Sequence, residues 1–369
     1  MKNISRSVLA LLLALSLLLT AGLSALAADA AFLADAEFTV LTGSDFQDLG
    51  TAAYDRFGRV LTQMKNDGMP TPDSMLVGGD YTKLLFDDAV PGVSQIRHQL
   101  VSVYPDADPE AVVCIQGNHD NMSPAFAKTG FSDMGAYNLY VINEDDFPWK
   151  QSLRPGIEAH IKEVSADIES HMNELIAAGD FRPVIVMTHL PLHHTTRSSY
   201  GENKYASYIF NALNKAGRTL DVIFLFGHQH SGDYDDYIGG SVNFLQAGDT
   251  IRVPKPDQQG ENAYTNETLS FTYLNCGYIG YSKNTVSETS TNILTLGAIQ
   301  FTADGVRFVK YGEDGVYKTW DVARKNAAEK KERTGYPALV NGDLWTFMHD
   351  LFMKFFTIYL RFIAIFAAA

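Results

Sequence analysis

Only two cysteines, Cys114 and Cys276, occur in 369 residues, and each lies in an apolar, strand-like stretch (AVVCIQ and FTYLNCGYIG). So few thiols exclude a disulfide framework as what holds the chain together. The reading is two separately buried thiols, since buried cysteine behaves as a small hydrophobe, with a single bridge between them as the alternative. Positive charge is also scarce: 29 Lys and Arg stand against 43 Asp and Glu, for a net charge of −14. No basic cluster breaks that surplus, and counterion release on a nucleic acid needs one, so nucleic acid is excluded as a routine partner. Low-complexity tracts and internal repeats are missing too, and a 46% apolar composition is enough for one large core or two modest ones.

The two ends are where apolar residues concentrate. Residues 1–27 run from Lys2 and Arg6 through an apolar stretch, Val8 to Leu19, to small residues ending Ala25-Leu26-Ala27. That is the three-part layout of a secretory signal, so the chain is expected to be exported, to the cell surface, periplasm or medium. Cleavage after Ala27 would remove two cations and no anions, taking the net charge from −14 to −16. At the other end, residues 344–369 (LWTFMHDLFMKFFTIYLRFIAIFAAA) carry Asp350, Lys354, Thr357 and Arg361 at helical spacing on an otherwise apolar cylinder. Lys354 and Arg361 interrupt the run of roughly 20 apolar residues that a span requires. An interfacial helix on a bilayer, a tilted span and a partner-packing helix all remain open.

Between the ends, short runs rich in Val, Ile and Phe alternate with helical patterns, the mark of a layered α/β protein. Strands are predicted at Phe38 to Leu41, Ser74 to Val77, Val112 to Gln116, Pro183 to Thr188 and Val222 to Phe226, and helices at Ala52 to Asn66, Gly156 to Ala178 and Lys204 to Lys215. After His230 the sequence turns β-rich (SVNFLQAG, LSFTYLNCGYIGY, NILTLGAIQF, GVRFVKYG), with Ala303-Asp304-Gly305 as a turn, and these strands are expected to form a second sheet against the first. Pro254 to Glu267 reads as a surface loop and Asp321 to Arg333 as a charged helix. The domain limits are then 37–312, with a charged helix and linker over 316–343.

Five short motifs fall just past predicted strands: Gly43-Ser44-Asp45-Phe46-Gln47, Gly78-Gly79-Asp80, Gly117-Asn118-His119-Asp120, Thr188-His189-Leu190-Pro191 and Gly227-His228-Gln229-His230. The C-terminal edge of an α/β sheet is where ligands bind. Oxygen donors mixed with imidazoles suit divalent Mn, Fe or Zn better than Ca. Singly, such residues are more often helix caps or hydrogen-bonded core histidines. Five in order, each after a strand, make a constellation.

At these residues the sequence resembles the calcineurin-like metallophosphoesterase superfamily, whose pattern is D-x-H, G-D, G-N-H-[DE], H and G-H-x-H. The resemblance spans about residues 37 to 310 and implies a two-sheet β-sandwich flanked by helices, with two divalent metal ions at the sheet edge. It implies that Asp45 and His230 hold one ion, that Asn118, His189 and His228 hold the other, and that Asp80 bridges them. His119 would stand beside the ions as a general acid, its ring oriented by Asp120. One position departs: Gln47 stands where the common pattern has His, and its amide would ligate weakly or act through water.

Two divalent ions against two carboxylates make a local anion site in an acidic protein, suited to a phosphate group. The expected activity is hydrolysis of a small phosphate monoester or diester by a water deprotonated between the ions. A degenerate surface protein that binds metal or phosphate without turnover is the alternative, motivated by Gln47. His193, His194, Arg197 and Tyr81 are candidate substrate contacts; a solvated rim for the first three and core packing for Tyr81 are the plainer readings.

Overall fold

The computed structural model describes residues 31–47, 51–82, 88–193, 203–230, 244–257, 263–280 and 294–325. The signal-like segment 1–27, the apolar segment 344–369, His194 and Arg197 lie outside them.

Two six-stranded sheets face each other. The first has the order β14-β13-β12-β1-β2-β3, built from β1 (Phe38–Gly43), β2 (Ser74–Val77), β3 (Val112–Cys114), β12 (Thr295–Phe301), β13 (Gly305–Gly312) and β14 (Gly315–Ala323). The second has the order β4-β5-β6-β7-β11-β8, from β4 (Gly130–Asp133), β5 (Asn138–Ile142), β6 (Val184–Thr188), β7 (Val222–Phe226), β8 (Phe244–Leu245) and β11 (Thr272–Asn275). β1, β2 and β3 run parallel, as do β5, β6, β7 and β11.

Strand alternation sends side chains into two different cores. Val40, Leu76, Ile185, Leu225 and Ile299 pack between the sheets. Their neighbours Leu41, Met75 and Val77 face outward onto α1 (Ala52–Asn66) and α2 (Val90–Val103). On the far side, Val184, Val186, Phe224 and Phe226 pack under α3 (Ile157–Ala178) and α4 (Ala206–Ala216). Strands covered on both faces read as continuous apolar runs, which is why they stood out in the sequence. α1 buries Ala53, Tyr54, Phe57, Val60, Leu61 and Met64, one stripe at spacings of one, three and four. α3 is bounded by left-handed Gly156 and Gly179, the latter a C-terminal stop.

Three expectations need correcting. The strands after His230 do not make a sheet of their own: β12, β13 and β14 extend the first sheet beside β1, while β8 and β11 join the second. The stretch read as a loop holds four of the five residues of β10 (Tyr264–Thr268), which pairs antiparallel with β9 (Thr250–Pro254); the mixed, largely polar exposure of β10 hid it, while Ile251 and Val253 of β9 are buried. Asp321 begins no helix, because it pairs with Arg307 across the edge strand β14, where Arg307 Nε donates to Asp321 Oδ1 at 2.8 Å; residues 326–333 are outside the described set. α2, β4 and β5 were not foreseen; Pro91 and Gly92 in the first turn of α2 disguise it. Both cysteines are free and buried. Among the described residues no helix is long and apolar enough to cross a membrane.

Candidate metal centre

The loops after β1, β2, β3, β6 and β7 meet at one end of the two sheets. Backbone bonds lock them: Asp45 N donates to Gly79 O at 3.0 Å, Gln47 N to Asp80 O at 3.0 Å and Gly227 N to His189 O at 3.0 Å. The turns are tight enough that Asp45, Gln47, Asp80 and His228 all take positive φ, from 43° to 64°. Each such non-glycine residue is strained by on the order of 1 kcal/mol, which the surrounding bonds must offset. Gly79 (φ +95°) lets two loops touch: a Cβ there would stand 2.6 Å from Gly117 N.

All six residues expected to hold metal converge. One ligand atom from each of Asp45, Asp80 and His189 lies within 4.8 Å of the others. Asn118 Oδ1 sits between His189 Nε2 at 3.0 Å and His228 Nδ1 at 2.9 Å. His230 Nε2 is 2.9 Å from Asp45 Oδ1. Asp45, Asp80 and His189 are fully buried.

The tautomer of His189 tests whether a cation fits. Its Nδ1 lies 2.7 Å from Gly78 O, a carbonyl that can only accept, so Nδ1 carries the hydrogen. Nε2 then points a lone pair at Asn118 Oδ1 and at Asp80 Oδ2, the latter 3.4 Å away. Acceptors crowded in this way are reconciled by a positive centre among them, either a ring proton or a metal ion. The titration behaviour has the same origin. Burial disfavours charge on His189, yet the Asp80 carboxylate outweighs it and pushes the imidazole up to about 10. Burial would raise Asp45 and Asp80, but His230 holds Asp45 below the usual carboxylate range and His189 holds Asp80 well below it. This donor set fits divalent metal.

The remaining candidates divide. Gln47 Nε2 donates to Asp80 Oδ2 at 2.9 Å, so its amide supports the central carboxylate. His119 donates its backbone N–H to Asp80 Oδ1 at 2.9 Å; its Nε2 is 3.9 Å from Asp80 Oδ2, and the side chain is 23% exposed, reachable from outside. Asp120 ties the surrounding loops together through its carboxylate. Its Oδ2 accepts from Asp80 N at 2.8 Å and Gly117 N at 2.9 Å, and its Oδ1 from Tyr81 N at 3.1 Å. Burial, reinforced by Asp80, pushes Asp120 up to about 7. Two candidate substrate contacts are core residues instead. His193 is fully buried with Nδ1 2.6 Å from the Tyr273 hydroxyl, and Tyr81 stacks on Phe126 at 5.5 Å.

Residues that the motifs did not flag also border it. Glu144, just past β5, is buried; burial pushes it up to about 8 against the pull of His189. Its place after a strand was the available signal, masked by the acidic run Glu144-Asp145-Asp146. Tyr278 lies flat on His230.

This fold and this centre define a metal-dependent phosphoester hydrolase. The chain belongs to the Calcineurin-like phosphoesterase family, whose profile matches residues 38–232, more than half of its length. No curated protein matches it. Among solved structures, it is similar to a dimetal phosphatase from Danio rerio (10% identity, 79% of this chain and 100% of that one, TM-score 0.44). It is also similar to GAP50, the anchor in the inner membrane complex of Plasmodium (12% identity, 81% of this chain and 91% of that one, TM-score 0.48).

Proposed function

We propose that the chain is an exported phosphoesterase that cleaves a small phosphate monoester or diester, with two divalent ions held by Asp45, Asp80, Asn118, His189, His228 and His230. The observation that carries this reading is the meeting of Asp45, Asp80 and His189 atoms within 4.8 Å, with Asn118 between two imidazoles. Asp45 and His230 would take one ion, Asn118, His189 and His228 the other, and Asp80 both; Mn, Fe and Zn suit the donors. When bound, the ions supply charge against the phosphoryl oxygens and acidify a water to the attacking hydroxide.

The chain's own groups do the rest. His119, fixed through its backbone to Asp80 and open to solvent at its ring, is placed to give a proton to the leaving oxygen. Asp120 acts on the loops: by accepting three amides it sets where Asp80 and Asn118 stand. Export rests on the composition of residues 1–27, and retention at a membrane surface on residues 344–369.

The test is hydrolysis of p-nitrophenyl phosphate and bis-p-nitrophenyl phosphate after chelation and re-addition of Mn, Fe, Zn or Mg. Metal-restored turnover is expected, and the ratio of the two rates ranks monoester against diester. A folded protein silent with every metal would overturn the reading in favour of a binding module.

A further inference from the structure

His230 has Asp45 Oδ1 at its Nε2 and the ring of Tyr278 against its face, centroids 4.3 Å apart and planes 7° from parallel. Tyr278 is 2% exposed. It is set by the crossing from the second sheet back to the first. After β11, Asn275 Nδ2 donates to Gln229 O at 3.0 Å, and Gly277 N donates to Asn275 Oδ1 at 2.7 Å. Tyr278 then pairs in an isolated antiparallel bridge with Thr295, whose N donates to Tyr278 O at 2.8 Å. Gly277 (φ +111°) is required there, because a Cβ would come within 2.3 Å of Thr295 O. Beyond the tyrosine, Arg56 Nη1 of α1 donates to Ile279 O and Gly280 O, both at 2.7 Å, and Arg56 Nε is 3.5 Å from Glu313 Oε2 in the β13–β14 turn.

We infer that Tyr278 is a positioning residue for the ion shared by Asp45 and His230, and that residues 275–280, tied to Gln229, Thr295 and Arg56, form its fixed backing. The inference rests on the metal-site reading above. Gln47 directs its amide hydrogens to Asp80, so His230 is the imidazole on which that ion depends. A ring stacked in parallel cannot turn about its last torsion without losing the contact, which keeps Nε2 aimed at Asp45. An imidazole bound to a cation is electron-poor and is drawn to an electron-rich phenol face, so the stack strengthens when the ion binds.

The experiment is calorimetric titration of Mn(II) into the metal-free full chain, with thermal melts of each metal-free protein, for wild type, Tyr278→Phe and Tyr278→Leu. Tyr278→Phe keeps the ring and is expected to bind within about 2-fold of wild type. Tyr278→Leu is expected to weaken one of the two binding events by about 10-fold or more and leave the other unchanged, a selectivity that general loosening of the fold would not give. Equal affinities in wild type and Tyr278→Leu would overturn the inference alone, and so would equal losses in Phe and Leu. A wild type that takes up no ion would overturn the metal-site reading itself. Should Tyr278→Leu not fold, Arg56→Met decides: weakening of one binding event supports the positioning role, and wild-type binding overturns it.

Discussion

The two sheets bring opposite chemistry to the same place. The first presents oxygens, on Asp45, Asp80 and Asn118; the second presents imidazoles, on His189, His228 and His230. Three of the four strained site residues, Asp45, Gln47 and Asp80, belong to the oxygen side, and only His228 to the other. The oxygen side is drawn together by Asp120, which gathers amides from two loops, while the imidazole side is held across the gap through Gly78 O and Asn118 Oδ1. Carboxylates brought into apolar surroundings repel each other and lose hydration, and bonds from loop amides offset that cost on the oxygen side. Each side completes the other through a positive centre.

The most severe way to break that symmetry is Asp80→Asn. It keeps the shape, removes the charge common to both sides, and is expected to abolish metal retention and lower kcat/KM by at least about 10³-fold, on the order of 4 kcal/mol. Metal analysis and p-nitrophenyl phosphate turnover check it; normal turnover would show that the sides do not meet through this carboxylate. His119→Ala tests the proton donor separately from the ions. Metal content should hold, alkyl phosphates should slow by about 10²-fold, and aryl phosphates, whose leaving groups need little protonation, should slow much less. Equal losses would make His119 a phosphate binder.

The smallest effect concerns Lys310, fully buried on β13 in the oxygen-bearing sheet. Burial pulls its ammonium down to about 7, with Cys276 opposing. The folded value is lower than the unfolded one, so the unfolded chain binds more protons between about 7 and 10.5, and this lysine makes stability rise with pH across that window. Below it both states are protonated and the burial penalty is complete. Lys310→Met should therefore raise Tm at pH 6 by a few degrees, on the order of 1–3 kcal/mol, with the advantage shrinking towards pH 10.

What the sequence made legible follows from which features are local. Ser74–Val77, Val222–Phe226 and Ala52–Asn66 form where apolar period and length predicted, and every metal-ligand candidate but His189 sits in a loop that a glycine announces. Sheet membership was not legible: nothing near Thr295 says that its strand will lie beside Phe38 to Gly43 rather than in a sheet with Phe271 and Tyr273. The last residues of β14, from Asp321, read as the start of a charged helix because an edge strand carries charge on its open face. His193 reads as a candidate substrate contact for standing near His189, yet its partner Tyr273 is remote in sequence. Tyr278 and Arg56 belong to no motif, since their role lies in contacts between distant segments.

The place of β1 has a consequence for how the molecule is made. β6, α4 and β7 are consecutive and can assemble as soon as they are synthesised. β1 lies between β2 and β12, and its pairing of Phe38 with Phe301 must wait until nearly the whole chain has left the ribosome. Until then the strand leading to Asp45 has one open edge and no lasting position. The imidazole side can therefore exist before the carboxylate side, and completion of the site becomes a late event of biosynthesis, set by the arrival of a hairpin that contributes none of the six candidate metal ligands.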